Sequence, residues 1–315
     1  LIDSCWQDRP KAALQPAIML PESLTGRSSL EKRHSIGAAV AEKGAEAALV
    51  FAADSVAWLL NIRGKDVPCV PVVLGFGLLY ADGRLQFFTN PSKIPEGFNA
   101  HVGEGVGVFP ESAAEDSFRA LSGKVVLADP ATANAWCQLR LKEAGAELVR
   151  EDDPVIVPKA CKNSAEIAGM QKAHIRDGQA VVRFLAWLDS EVDEGRLHSE
   201  GDLSDRLFEF RSEGEHFRGP SFDTISAASG NAAMCHYNHL NFDDTSHLEM
   251  DSIYLVDSGG QYLDGTTDIT RTVAIGDPGE EIRRRFTLVL KGHIALDQAV
   301  FPEGTNGTPL DVLAR

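Results

Sequence analysis

The chain has 315 residues, enough for about two domains, and its 43% apolar and 24% charged residues are an ordinary globular balance. A formal charge of −16 and a pI near 5.0 argue against a nucleic-acid or anionic-membrane partner, both of which need a basic surface. No apolar run approaches the roughly 18 residues of a membrane span, the first residues carry no secretory signal, and five scattered cysteines without a Cys-x-x-Cys pair fit reduced thiols in a cytoplasmic compartment.

Residues 1–25 contain Pro10, Pro16 and Pro21, which predicts an irregular linker leaving an upstream domain; the chain begins with Leu1 and not with Met. From 26 to 156 strand and helix signals alternate, predicting a compact α/β domain. Ser28 or Ser29 caps a helix that stops at Gly44. Strands follow at Ala47–Phe51, Val70–Tyr80 and Leu85–Thr89, the last two joined by a turn at Ala81-Asp82-Gly83-Arg84. Further strands are predicted at Val106–Phe109, Val125–Ala128 and Glu147–Val149, with helices at 111–122 and 131–144. Gly75-x-Gly77 and Gly103-x-Gly105-x-Gly107 resemble phosphate loops, but neither opens a helix through the required turn, so nucleotide binding is rejected.

A second domain is expected over 157–315. Asn163-x-x-Glu166 is a capping box for a long amphipathic helix with Ile167, Met170, Val181, Phe184, Leu185 and Leu188 on its apolar face. A helix at 201–213 uses Leu203, Leu207 and Phe210. Strands are predicted at 222–228, 253–257, 260–264 and 267–275, then a helix at 279–300 carrying Ile282, Phe286, Val289, Leu290 and Leu296. Helices packed on an antiparallel sheet make an α+β arrangement.

The stretch Tyr254-Leu-Val-Asp257-Ser-Gly-Gly-Gln-Tyr262-Leu-Asp264-Gly-Thr-Thr-Asp268-Ile-Thr270-Arg271-Thr272 carries the chemistry. It reads as a strand ending on Asp257, a Gly-containing turn, and a β-branched strand opened by Asp268. Period-2 alternation puts Asp268, Thr270 and Thr272 on one face and Ile269, Arg271 and Val273 on the other. Two carboxylates at neighbouring strand ends suit Mn²⁺ or Mg²⁺. They also suit a turn residue and a surface residue. Cys235 beside His236 lacks the partners of a zinc site.

This stretch resembles the metal motif of the Xaa-Pro aminopeptidases, pita-bread metallopeptidases related to methionine aminopeptidase, prolidase and creatinase. Asp54-Ser-Val-Ala-Trp58-Leu-Leu-Asn61-Ile-Arg63-Gly64, Pro220-Ser221-Phe222-Asp223-Thr224-Ile225-Ser226, Ser229-Gly230-Asn231-Ala232-Ala233-Met234-Cys235-His236-Tyr237 and Lys291-Gly-His293 extend the resemblance over nearly the whole chain, in the order of the long, three-domain cytosolic type. It implies a creatinase-type α/β domain followed by a pita-bread catalytic domain. It also implies hydrolysis of the bond before a proline at the second position of a peptide by a hydroxide shared between two divalent metals. The metal is expected to be Mn, with Co, Zn or Mg as alternatives, and the enzyme a cytoplasmic homodimer.

By the same resemblance Asp257 holds one metal, Asp268 bridges both, and His236 donates a hydrogen bond to the substrate. Tyr262, Thr270 and Arg271 support the site, although structural hydrogen bonding is an equal reading for these three. The family site uses five ligands: two Asp, a His and two Glu. The blocks carrying the last three are absent here, so the pita-bread domain is expected to be incomplete, to expose apolar surface, and to bind metal weakly without turnover. Thr308 and Pro309 are expected to cap a last helix. Prolidase- or creatinase-like hydrolysis and a non-catalytic peptide- or histone-binding module are the competing readings.

Overall fold

The computed structural model describes residues 5–8, 14–243 and 245–315; the expected linker positions at 1–4 and 9–13, Pro10 among them, lie outside these. The described chain forms two compact units. The first comprises Leu1–Gly178, Gly214–Phe222 and Gly259–Thr267, and the second Gln179–Glu213, Asp223–Ser258 and Asp268–Arg315.

The elements run β1 (Ile18–Met19), α1 (Glu22–Thr25), α2 (Ser29–Glu42), β2 (Ala47–Val50), α3 (Ala53–Leu60), β3 (Ile62–Arg63), β4 (Phe76–Tyr80) and β5 (Leu85–Phe88). Then come α4 (Phe98–Val102), β6 (Val106–Phe109), α5 (Ala114–Arg119), β7 (Val125–Ala128), α6 (Ala135–Glu143), β8 (Glu147–Arg150) and α7 (Ile156–Ala160). The remainder is α8 (Ser164–Asp193), α9 (Glu200–Ser212), β9 (Phe217–Pro220), β10 (Ile225–Ala228), β11 (Ser252–Ser258), β12 (Gly260–Tyr262), β13 (Gly265–Thr266), β14 (Ile269–Ile275), α10 (Gly279–Asp297) and α11 (Asp311–Ala314).

In the first unit a six-stranded mixed sheet has the order β6-β5-β4-β2-β7-β8. All four residues of β2 are buried, because helices cover both faces of the sheet. Neighbours in sequence therefore divide between two cores. Val50, Leu79 and Phe87 pack with α2 and α3 residues such as Ile36, Val56 and Leu60, and Leu49, Leu78 and Phe88 pack with Phe118 and Leu141. Ser28 caps α2 through a reciprocal capping box with Glu31. The predicted strand at Val70–Tyr80 shortens to β4. Gly75 at φ 159° precedes β4, and Val70 makes only an isolated bridge to Val67. The predicted helix at 111–122 resolves into a 3-10 turn at Glu111–Ala113 and α5.

Residues 14–25 are more regular than their prolines predict. β1 pairs antiparallel with β3, and Ala17, Leu20 and Thr25 are buried. The Asn163 capping box forms as the spacing predicts: Asn163 Oδ1 accepts from Glu166 N at 3.0 Å, and Glu166 Oε2 accepts from Asn163 N at 2.9 Å. Ile167, expected on the apolar face of α8, is instead exposed. A small sheet β13-β12-β9 completes the unit; β9 lay outside the strand predicted at 222–228.

The second unit is built on the antiparallel sheet β10-β11-β14. One face, carrying Tyr254, Val256 and Ile275, packs on Val181, Phe184 and Leu188 of α8 and on Leu203, Leu207 and Phe210 of α9. Alternation leaves Ile253, Leu255 and Asp257 on the other face, all half-buried. As expected, α10 exposes apolar side chains: Phe286, Val289, Leu290, Ile294 and Leu296 are each more than 40% exposed. Gly292 lets α10 approach α11 closely, since a Cβ there would meet Ala314 O at 2.8 Å. Thr308 does not cap the last helix; it opens a 3-10 turn, Thr308–Leu310, with Gly307 as cap.

Candidate metal centre

β11 and β14 pair in register from Ser252↔Ile275 to Ser258↔Ile269, which sets Asp257 directly opposite Thr270. Side chains at paired positions share a face, so Asp257 and Thr270 are neighbours, as are Leu255 and Thr272. Asp268 immediately precedes β14, two residues from Thr270, and is exposed. The alternation read from the sequence extends Thr270's face to Asp268, which makes Asp257 and Asp268 diagonal neighbours, about 7–8 Å apart for such positions. Two short carboxylates on backbones that far apart can aim their oxygens at a common point between them.

Asp257 Oδ1 is buried and has no hydrogen-bond partner. A buried carboxylate oxygen without a donor is costly, by about 1–3 kcal/mol or more, and in native proteins such an atom marks stored strain, a catalytic role, or a water or ion that completes it. The orphaned atom, the hard-oxygen chemistry of both side chains and the rigid strand beneath them fit a divalent cation. Among the described residues no group of three or more His, Cys, Asp or Glu converges, so these two carboxylates stand as a partial donor set.

The other residues singled out in the sequence are spread more widely. Thr270 faces Asp257 across the ladder. Arg271 turns to the opposite face, and its Nη1 donates to the Thr270 carbonyl at 2.7 Å; among the described residues no carboxylate pairs with it. Tyr262 belongs to the first unit, where its hydroxyl donates to Asp177 Oδ1 at 2.9 Å. His236 is exposed on the loop after β10, at φ 55°. His239, three residues on, is buried, with Nδ1 unpartnered. The sequence reading missed Glu200. The only sequence signal near it is the Ser199-x-x-Asp202 capping box that starts α9 one residue earlier than predicted.

Residues 8–166 match the Creatinase/Prolidase N-terminal domain, and residues 168–315 match Metallopeptidase family M24. The chain is 38% identical to a probable Xaa-Pro aminopeptidase P of Tuber melanosporum, over 100% of this chain and 53% of that protein. It is 36% identical to aminopeptidase P1 of Arabidopsis thaliana, over 100% of this chain and 56% of that one. The chain thus spans about half the length of the curated relatives it matches. An X-prolyl aminopeptidase from Caenorhabditis elegans, described as a cytosolic enzyme with a di-nuclear active site, superposes with a TM-score of 0.90 at 33% identity, covering 100% of this chain and 52% of that one. A Bacillus anthracis Xaa-Pro dipeptidase, at 21% identity and a TM-score of 0.69 over 91% of this chain and 76% of that one, shares the fold. With a creatinase/prolidase N-terminal domain leading into a metallopeptidase domain, this chain belongs to the creatinase/prolidase and M24 metallopeptidase family.

Proposed function

We propose that the protein is a metal-dependent aminopeptidase that removes the residue preceding a proline at the second position of a peptide. The observation that carries this reading is the orphaned Oδ1 of Asp257, on a strand diagonal to Asp268 within the region that matches the metallopeptidase family. The named relatives supply the substrate class. The proposed division is an α/β domain over 26–156, against which residues 14–25 pack, and the metallopeptidase domain from 157 onward.

Asp257 and Asp268 would hold two divalent cations; their hard-oxygen donors suit Mn²⁺ and Mg²⁺ alike, and the family resemblance favours Mn²⁺. When bound, such ions act as Lewis acids toward the peptide carbonyl and lower the pKa of water. Asp257 and Asp268 bring negative charge and rigid acceptors to the site. The Thr270 hydroxyl, opposite Asp257, is placed to orient that carboxylate. The exposed imidazole of His236 can donate a hydrogen bond to the substrate carbonyl and follow it as charge builds on oxygen. We further propose a cytoplasmic homodimer.

The test is hydrolysis of an Xaa-Pro-Xaa peptide by the intact protein with Mn²⁺, with metal content read by elemental analysis and subunit number by light scattering. Asp257→Asn and Asp268→Asn should each abolish turnover. Peptide binding with no release of the N-terminal residue, in a protein that carries metal, would sink the enzyme reading and leave a peptide-binding module.

A further inference from the structure

The Glu200 carboxylate is 0% exposed, at the first turn of α9. Its Oε1 accepts from Ala228 N at 2.7 Å and Asn231 Nδ2 at 2.9 Å. Its Oε2 accepts from the Tyr237 hydroxyl at 2.7 Å. All three donors come from the single segment Ala228–Tyr237. The backbone of Glu200 is tied as well: its carbonyl accepts from Ser226 Oγ at 2.7 Å, and its N–H donates to Ser246 O at 2.9 Å. The same Ser226 hydroxyl meets Tyr254 of β11 at 2.7 Å. One side chain thus ties the loop after β10 to the helix–sheet core of the second unit.

That loop contains two non-glycine residues in the left-handed region, Ser229 at φ 48° and His236 at φ 55°. This conformation is unfavourable for L-residues and persists where the surroundings over-determine it. Asn231 is fixed two residues after the first of these positions, and Tyr237 one residue after the second. Between the two fixed points lie Ala232, Ala233, Met234, Cys235 and His236, and Met234, Cys235 and His236 are exposed. Histidine tolerates this region better than most L-residues, and a local turn bond from Tyr237 N to the Met234 carbonyl at 3.3 Å encloses it; the buried side chain of Tyr237 then anchors that turn to Glu200.

We propose that Glu200 is a positioning residue for His236: by holding Tyr237 and Asn231 it fixes the loop so that the imidazole projects outward in a left-handed turn. This rests on the reading of His236 as a substrate-facing group. Burial, and then the adjoining Glu200, push the Tyr237 hydroxyl up to about 12, so it remains a donor throughout the neutral range. Glu200→Gln keeps the shape but turns one acceptor into an amide donor facing donors. Tyr237→Phe removes only the hydroxyl, and with it the bond donated to Glu200 and the 3.1 Å bond accepted from Asn231.

Amide hydrogen exchange on this chain reads the positioning directly. In Glu200→Gln and Tyr237→Phe, exchange across 229–238 should accelerate about tenfold or more, while 254–256 in β11 stays within about threefold. Unchanged loop exchange, or β11 accelerating in step with the loop, overturns the proposal. Kinetics on the intact protein separate it from the functional reading. Tyr237→Phe should lower kcat about tenfold at near-constant KM, and should add nothing on a His236→Ala background. Multiplicative effects of the two substitutions would overturn action through His236. A His236→Ala enzyme with unchanged kcat would refute the role of His236, and the exchange result would still decide the positioning.

Discussion

Replacing Asp257 by Asn should stabilise the metal-free protein and destabilise the metal-loaded one. Asp257 is half-buried at the end of β11, and its Oδ1 is buried without a donor. An unsatisfied buried acceptor costs about 1–3 kcal/mol, and more when charged. Asparagine keeps the volume and removes the charge, so the metal-free variant should gain about 1 kcal/mol or more. That is a rise in melting temperature of about 2–4 °C for each kcal/mol in a domain of 150–250 residues. Mn²⁺ at a hundred times its dissociation constant should stabilise the wild type by about 2.7 kcal/mol, and the variant by less than about half of that. The two melting curves should therefore exchange order on adding Mn²⁺, which differential scanning fluorimetry with EDTA and with Mn²⁺ reads directly. If Asp257→Asn melts below wild type in EDTA, or gains as much from Mn²⁺, Asp257 is a structural residue and the metal assignment falls.

Lys32 is 1% exposed, held by Asn61 Oδ1 at 2.8 Å and over the Trp58 ring at 4.1 Å, and burial lowers its pKa to about 8. The unfolded chain keeps this lysine protonated to about 10.4, so between pH 8 and that value the unfolded state binds more protons and stability from this group rises with pH. The difference in urea stability between wild type and Lys32→Met should move in favour of wild type by up to a few kcal/mol as pH rises from 7.5 to 9.5; a flat difference would refute it. Burial pushes the Cys137 thiol up to about 12, so in the folded protein at pH 8 it should resist a thiol-specific disulfide reagent while exposed Cys161 and Cys235 react; modification of Cys137 before unfolding, seen by peptide mapping, would contradict its burial. At Gly259 an added Cβ would sit 2.8 Å from Thr267 C, and closer still to Thr267 O and Ser221 Oγ. Gly259→Ala should therefore cost about 1–3 kcal/mol in chemical denaturation, and a neutral result would mean that this turn relaxes. With two carboxylates as the gathered donors, the 315-residue chain should bind Mn²⁺ with a dissociation constant on the order of 10⁻⁵ M or weaker, and submicromolar binding by calorimetry would show further ligands.

Much of this was legible in the chain because it follows from local rules. The capping box of α8 rests on Asn163 three residues before Glu166 and forms as spacing predicts, and of the two serines expected to cap α2 it is Ser28 that does so. The period-2 pattern around Asp257 and Thr270 placed them on strands whose pairing now sets them face to face. What the sequence hid was decided by packing. Residues 14–25 read as irregular from their prolines, yet Ile18 and Met19 find a partner in Ile62 and Arg63, more than forty residues away. Ile167 fitted a helical stripe but lies outside the buried contacts of α8. Tyr262 stands in the same motif as Asp257, yet its hydroxyl is committed to Asp177. Glu200 lies one residue before the helix predicted at 201–213 and belongs to no motif read from the sequence. Only the fold brings Ala228, Asn231 and Tyr237 around its carboxylate, because hydrogen bonds between distant segments leave no periodic trace in either one. The sequence by itself determined most of the helices and strands and placed the two aspartates at the ends of neighbouring strands. Tertiary structure decided which oxygen is left without a donor, and which buried side chain holds the histidine loop in place.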